Sequence, residues 1–159
     1  MLILAQALIA LLAATPAKAA PPEQAAIFRT AGFAQAGGHW KSGNCVGMES
    51  ASYSPGSIDT YRDLNGDGRP EAVVNEGSAI CYGNAEIHFW LLSKQANGSW
   101  KLMMNETAMP EFLKVKGVGG WPDVSLGGPG FCFPVYRWSG RAYTINRFEY
   151  EGKRCKPPR

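Results

Sequence analysis

Histidine is almost missing from this sequence: two occur among 159 residues, and the net charge is only +3. The 16 basic and 13 acidic side chains nearly cancel, so the electrostatic footprint of a nucleic-acid binder is absent. There is no H-E-x-x-H pair, G-x-S-x-G elbow, P-loop lysine or complete G-x-G-x-x-G. Signatures of zinc hydrolases, serine esterases and nucleotide binders are therefore lacking. No C-x-x-C spacing occurs, so neither a zinc site nor a redox dithiol is readable from the cysteines. Beyond residue 20, no run approaches the roughly 20 apolar residues of a membrane span.

What is present begins with residues 2–14, a Leu, Ile and Ala run interrupted only by Gln6. It is too short for a span and suits the core of a secretory signal peptide, although no basic residue precedes it. Ala17-Lys18-Ala19 has the small-x-small form of a cleavage site. The reading is a signal peptide over 1–19 and a single β-rich domain over 20–159, exported to the periplasm or secreted and monomeric. Cys45, Cys81, Cys132 and Cys155 then read as two disulfides, because an exported chain meets an oxidising compartment. Three pairings are possible, and spacing does not choose among them.

The 19 Gly, 11 Pro and 18 aromatic residues of the chain favour turns and strands over long helices. Residues 22–31 read as one short helix: Pro opens it, Glu23 faces the positive dipole end, and Gly32 stops it. Residues 71–74 and 87–92 read as strands, the latter apolar on both faces and so suited to a doubly covered position. Asn97-Gly98 predicts a hairpin into residues 100–104, and Ser139-Gly140 another between 131–138 and 141–150. Pro134 predicts an edge or a bulge in the first of that second pair. Residues 117–130 read as a compact Gly/Pro-rich surface loop, with Trp121 and Asp123 as its binding residues. The fold class is mainly β (α+β): an antiparallel sheet with a short N-terminal helix, stapled by disulfides.

One segment carries metal chemistry. In Asp63-Leu64-Asn65-Gly66-Asp67-Gly68-Arg69-Pro70-Glu71, side-chain oxygens at alternate positions can converge on a hard cation. Gly68 permits the sharp turn, Arg69 offers its carbonyl, and Glu71 adds a carboxylate. An EF-hand needs a glutamate three residues further on, where Val74 stands, so this is not an EF-hand. Followed by Ala72-Val73-Val74, the loop resembles the calcium loops of FG-GAP or VCBS-type repeats. That resemblance implies one Ca²⁺ held by Asp63, Asn65, Asp67, the Arg69 carbonyl and Glu71. It covers about a dozen residues and occurs once, so it does not imply a propeller. More loosely, Gly119-Gly120-Trp121-Pro122-Asp123 and the Gly127–Val135 stretch resemble exported bacterial proteins with a single such loop.

The leading expectation is an exported, non-catalytic binding domain with one structural Ca²⁺. Its partner would be an envelope or extracellular protein or glycan, with no nucleic acid involved. The alternatives are a periplasmic inhibitor of a hydrolase such as lysozyme, and a small secreted hydrolase using His39 or His88 with a carboxylate.

Overall fold

In the computed structural model, residues 18–47 and 50–157 are described. The signal-peptide assignment over 1–19 therefore lies outside the described residues, apart from Lys18 and Ala19. The chain opens with helix α1 (Pro21–Thr30) and a small hairpin, β1 (Ala34–Ala36) and β2 (His39–Lys41). Strands β3 (Ser54–Arg62), β4 (Glu71–Gly77), β5 (Ile87–Lys94) and β6 (Trp100–Glu106) follow, with a one-turn helix α2 (Ala79–Tyr82) between β4 and β5. The last strands are β7 (Met109–Lys116), β8 (Pro122–Gly127), β9 (Phe133–Trp138), β10 (Tyr143–Tyr150) and β11 (Lys153–Arg154).

Among the described residues all strand pairing is antiparallel and joins strands consecutive in sequence within each sheet. The expected antiparallel sheet is in fact two successive meanders, β3-β4-β5-β6 and β7-β8-β9-β10-β11. Only Thr107 and Ala108 separate them, so the chain leaves one sheet and enters the other in a single step.

Period-2 alternation explains the layering. On β4 and β5, Val73, Phe89 and Leu91 join Val124, Leu126, Trp138 and Tyr143 in one buried cluster between the two sheets. The intervening Ala72, Val74, Trp90 and Leu92 point the other way, against Ile27, Phe28 and Phe33 of the α1 region. The order is thus helix, four-stranded sheet, five-stranded sheet. β4 and β5 are covered on both faces, as the apolar run 87–92 predicts. Burying one such side chain is worth about 1.5–3 kcal/mol, so this middle layer dominates the fold's stability.

Helix α1 forms where the sequence places it, with Pro in its first turn, Glu23 near its start and Arg29 near its end. Glu23 also clamps it to the first sheet: its carboxylate accepts from Tyr61 Oη at 2.7 Å and Lys94 Nζ at 2.5 Å. Burial and this carboxylate push the Tyr61 hydroxyl up to about 12.

One local expectation is corrected. Residues 117–130 are not one surface loop. A short turn at Val118–Gly120 leads directly into β8, which lies inside the second sheet. Glycine content suggested a loop, but positive φ at Gly119 and Gly120 is what turns the chain into the strand. β9 is an interior strand, so of the edge or bulge expected at Pro134 it is the irregular register that occurs. β8 pairs with it only at Val135 and Tyr136, and a register shift falls opposite in β10 between Ile145 and Arg147. The proline is therefore accommodated beyond the β8 ladder, next to a bulge.

The cysteines pair as Cys45–Cys81 and Cys132–Cys155. Such bonds accord with an extracellular or periplasmic protein. Among the described residues, no helix is long and apolar enough to cross a membrane.

Candidate metal loop and buried carboxylates

The β3–β4 connection is the oxygen-rich loop. Asp63 closes it from inside: Oδ1 accepts from the Gly66 amide at 2.6 Å and Oδ2 from the Gly68 amide at 2.8 Å. Asn65 Oδ1 accepts from the Asp67 amide, and Asp67 Oδ1 from the Arg69 amide, each at 2.9 Å. Burial would raise the Asp63 carboxyl, but the amides of Gly68, Gly66, Asp67 and Asn65 outweigh it and hold the group below the usual aspartate value.

Glu71 begins β4 and is fully buried beneath the loop. Its carboxylate accepts from the Leu64 amide at 2.8 Å and from Ser93 Oγ, its cross-strand partner, at 2.9 Å. Both donors are neutral. Burial pushes the Glu71 carboxyl up, those two hydrogen bonds oppose it, and the charges of Asp67 and Asp63 push it further up.

The donor set is all oxygen and suits a hard cation. Asp63, Asn65, Asp67 and the Arg69 carbonyl lie on one tight turn, with Glu71 below. Their present arrangement is satisfied without metal. Asp67 Oδ2 takes the Arg69 guanidinium at 2.5 Å and the Asn65 amide at 3.3 Å. Among the described residues, no three acidic, histidine or cysteine side chains converge closely enough to hold an ion. A cation would compete with the Arg69 guanidinium for Asp67.

The turn before β8 holds the loop from outside. Lys116 Nζ donates to the Leu64 carbonyl at 3.1 Å. At Gly120, with φ +75°, an added Cβ would lie 2.2 Å from the Asn65 carbonyl oxygen. Gly120→Ala therefore combines backbone strain with a clash against backbone. It should lower stability by about 1–3 kcal/mol, read as a fall in the urea unfolding midpoint. An unchanged midpoint would mean that the turn does not brace the loop.

The proposed binding residues Trp121 and Asp123 are not at the surface. Trp121 is 7% exposed, with its ring centroid 5.8 Å from Trp138 and 6.2 Å from Tyr143. The glycines that suggested an exposed loop instead steer this indole into the core. Asp123 is fully buried on β8 and is gripped by two arginines. Arg137 reaches it through Nε at 2.9 Å and Nη2 at 2.8 Å, and Arg147 through Nη1 at 2.5 Å. Burial would raise the Asp123 carboxyl, but the hydrogen bonds and charges of Arg137 and Arg147 outweigh it and hold it below the usual aspartate value.

A carboxyl lowered by folding adds stability above its unfolded pKa and loses it as pH falls through the folded one. The wild-type unfolding free energy should therefore drop more steeply below pH 4 than that of Asp123→Asn. Parallel pH profiles would remove Asp123 as a source of acid sensitivity.

A third buried carboxylate, Glu76 on β4, carries no sequence signature. It accepts from the Ser42 amide at 2.9 Å, the Ser42 hydroxyl, Tyr53 Oη at 2.8 Å and Tyr82 Oη. The only hint in the sequence is parity: Glu76 shares a strand face with Ala72 and Val74, so it must be buried with them. Its cross-strand partner is His88. That imidazole lies between the rings of Tyr82 and Trp90 and shares a 2.8 Å hydrogen bond between Nδ1 and Thr107 Oγ1. Burial depresses its pKa, against the opposing charge of Glu76. His39 stands exposed on the small hairpin.

Two clefts among the described residues bear on the site. The larger, about 800 Å³, runs along β3 between Phe28, Trp40 and Tyr61. The smaller, about 250 Å³, lies beside the oxygen-rich loop. Neither is lined by histidine.

Fold and site together define a disulfide-stapled, three-layer α/β/β protein with one oxygen-donor loop clamped between its two sheets. Compared with family profiles, characterised proteins and solved structures, the chain shows no significant match to any of them.

Proposed function

We propose that the chain is an exported, non-catalytic binding module of the periplasm or extracellular space, ordered by one structural Ca²⁺ at residues 63–71. The observation that carries this reading is Glu71: a fully buried carboxylate with two neutral donors, close to the charges of Asp63 and Asp67. Asp63, Asn65, Asp67 and Glu71 would hold the ion with their side chains, and Arg69 with its carbonyl. Bound there, the ion supplies positive charge that offsets the crowding of three carboxylates and fixes the turn; it is given no reaction to promote. The chain's own part is to present the loop rigidly, through Lys116 on the Leu64 carbonyl and Gly120 against Asn65.

The partner is expected to be an envelope or extracellular protein or glycan. It would not be engaged through Trp121 or Asp123, which are buried. The test is calorimetric melting of the protein in millimolar Ca²⁺ and in EGTA. Ca²⁺ at 100 times its Kd should add about 2.7 kcal/mol and raise Tm by several degrees. An identical Tm in both buffers would overturn the metal assignment.

A further inference from the structure

The small cleft beside the oxygen-rich loop carries more positive charge than the bracing of the loop by Lys116 uses. It is lined by Arg62 at the end of β3, Asp63 and Leu64 of the loop, Lys114 and Lys116 of β7, Phe112 and Pro122. Three cationic residues thus line the cleft with one carboxylate, and that carboxylate is already occupied. Both oxygens of Asp63 accept amide protons from Gly66 and Gly68. Among the described residues, neither Arg62 nor Lys114 makes an ion pair.

Lys116 is the anchored member. One of its three ammonium protons goes to the Leu64 carbonyl at 3.1 Å, which holds the charge over the cleft and leaves two donors to spare. Leu64 and Pro122 are buried and Phe112 is half-buried, so apolar side chains share the lining with the charged ones. Cations concentrated at a low-dielectric wall raise the local concentration of anions.

We infer that this cleft binds a single anionic group, a carboxylate or phosphate carried on a larger ligand, with Arg62, Lys114 and Lys116 as its cationic contacts. The cleft volume of about 250 Å³ sets the scale. It falls just below the roughly 300–1,000 Å³ of pockets that enclose a whole small molecule. One charged group and the ring or chain bearing it is what fits. Phe112 and Pro122 offer that ring or chain an apolar surface. This inference deepens the binding-module reading by naming the chemistry of its partner, and it does not depend on the metal.

The experiment is an amide-resolved NMR titration of the full protein in EGTA at fixed ionic strength, with inorganic phosphate and galacturonate as separate probes. Shifts should be confined to residues 62–64, 112–116 and 122, saturate at millimolar concentration, and weaken when NaCl is raised. The Arg62→Gln/Lys114→Gln variant changes exposed side chains only. It should keep the wild-type spectrum elsewhere and lose at least tenfold in affinity. Saturation by galacturonate alone identifies a carboxylate ligand, and by phosphate alone a phosphate ligand. Shifts spread over the surface lysines, no saturation with either probe, or an unchanged double variant would each overturn the assignment. Because Ca²⁺ is excluded, such a failure leaves the calorimetric test of the metal loop untouched.

Discussion

Glu76→Ala is expected to lower the unfolding free energy by about 3–5 kcal/mol, among the largest effects of any single substitution in the chain. The carboxylate takes four hydrogen bonds, two from Ser42 and one each from Tyr53 and Tyr82. Removing it strands the Ser42 amide and hydroxyl and the Tyr82 hydroxyl in the interior, where Ser42 and Tyr82 are 4% and 7% exposed. Each buried group left unpaired costs about 1–3 kcal/mol, and relaxation recovers only part of that. Glu76→Gln keeps the volume and one carbonyl acceptor, so it should cost less than the alanine change. Glu111→Ala, on an exposed strand position, should stay within about 0.5 kcal/mol. Urea titrations of the three variants supply the comparison. A loss below 1 kcal/mol for Glu76→Ala would show that the hub contributes little to stability.

The second large effect belongs to the Cys45–Cys81 bond. It spans 36 residues, so opening it restores chain entropy to the unfolded state worth about 3–4 kcal/mol. Its placement adds a local consequence. Ser42 caps the short turn that contains Cys45, and Tyr82 follows Cys81 in α2. The bond therefore ties together the two segments that bring donors to Glu76. The Cys45→Ser/Cys81→Ser variant should be destabilised by that amount or more, measured by chemical denaturation. Its loss should also overlap with that of Glu76→Ala, since shared networks are not additive. Removing Cys132–Cys155, which spans 23 residues, should cost slightly less. Strict additivity of the Glu76 and Cys45–Cys81 losses would separate the bond from the hub.

The middle of the fold was legible because physical pattern and position coincide there. Residues 87–92 are apolar at every position but His88, and a strand with no polar face must be covered twice. Helix α1 was legible for a similar reason, since its proline, acidic first turn and terminal glycine are local signals. The second sheet was not, because β8 carries a proline, an aspartate and a glycine and is flanked by further glycines, residues that ordinarily mark loops. Asp123 reads as a turn residue until Arg137 and Arg147, distant in sequence, are brought to it. Glu76 was hidden in the same way: its donors come from Ser42, Tyr53 and Tyr82, and only the folded chain collects them. For the metal loop, spacing revealed the donor types. It gave no sign that Arg69 would take Asp67 for itself, or that Gly120 and Lys116 would brace the turn from the other sheet.

Arg69 also makes the metal assignment quantitative, because Ca²⁺ must compete with its guanidinium for Asp67. The most direct test is isothermal titration of the protein with Ca²⁺, alongside Asp67→Ala. The proposed site predicts a single saturable event of one ion per chain, abolished or weakened at least tenfold in the variant. Absence of saturable heat at millimolar Ca²⁺, or the same binding by Asp67→Ala, would contradict it.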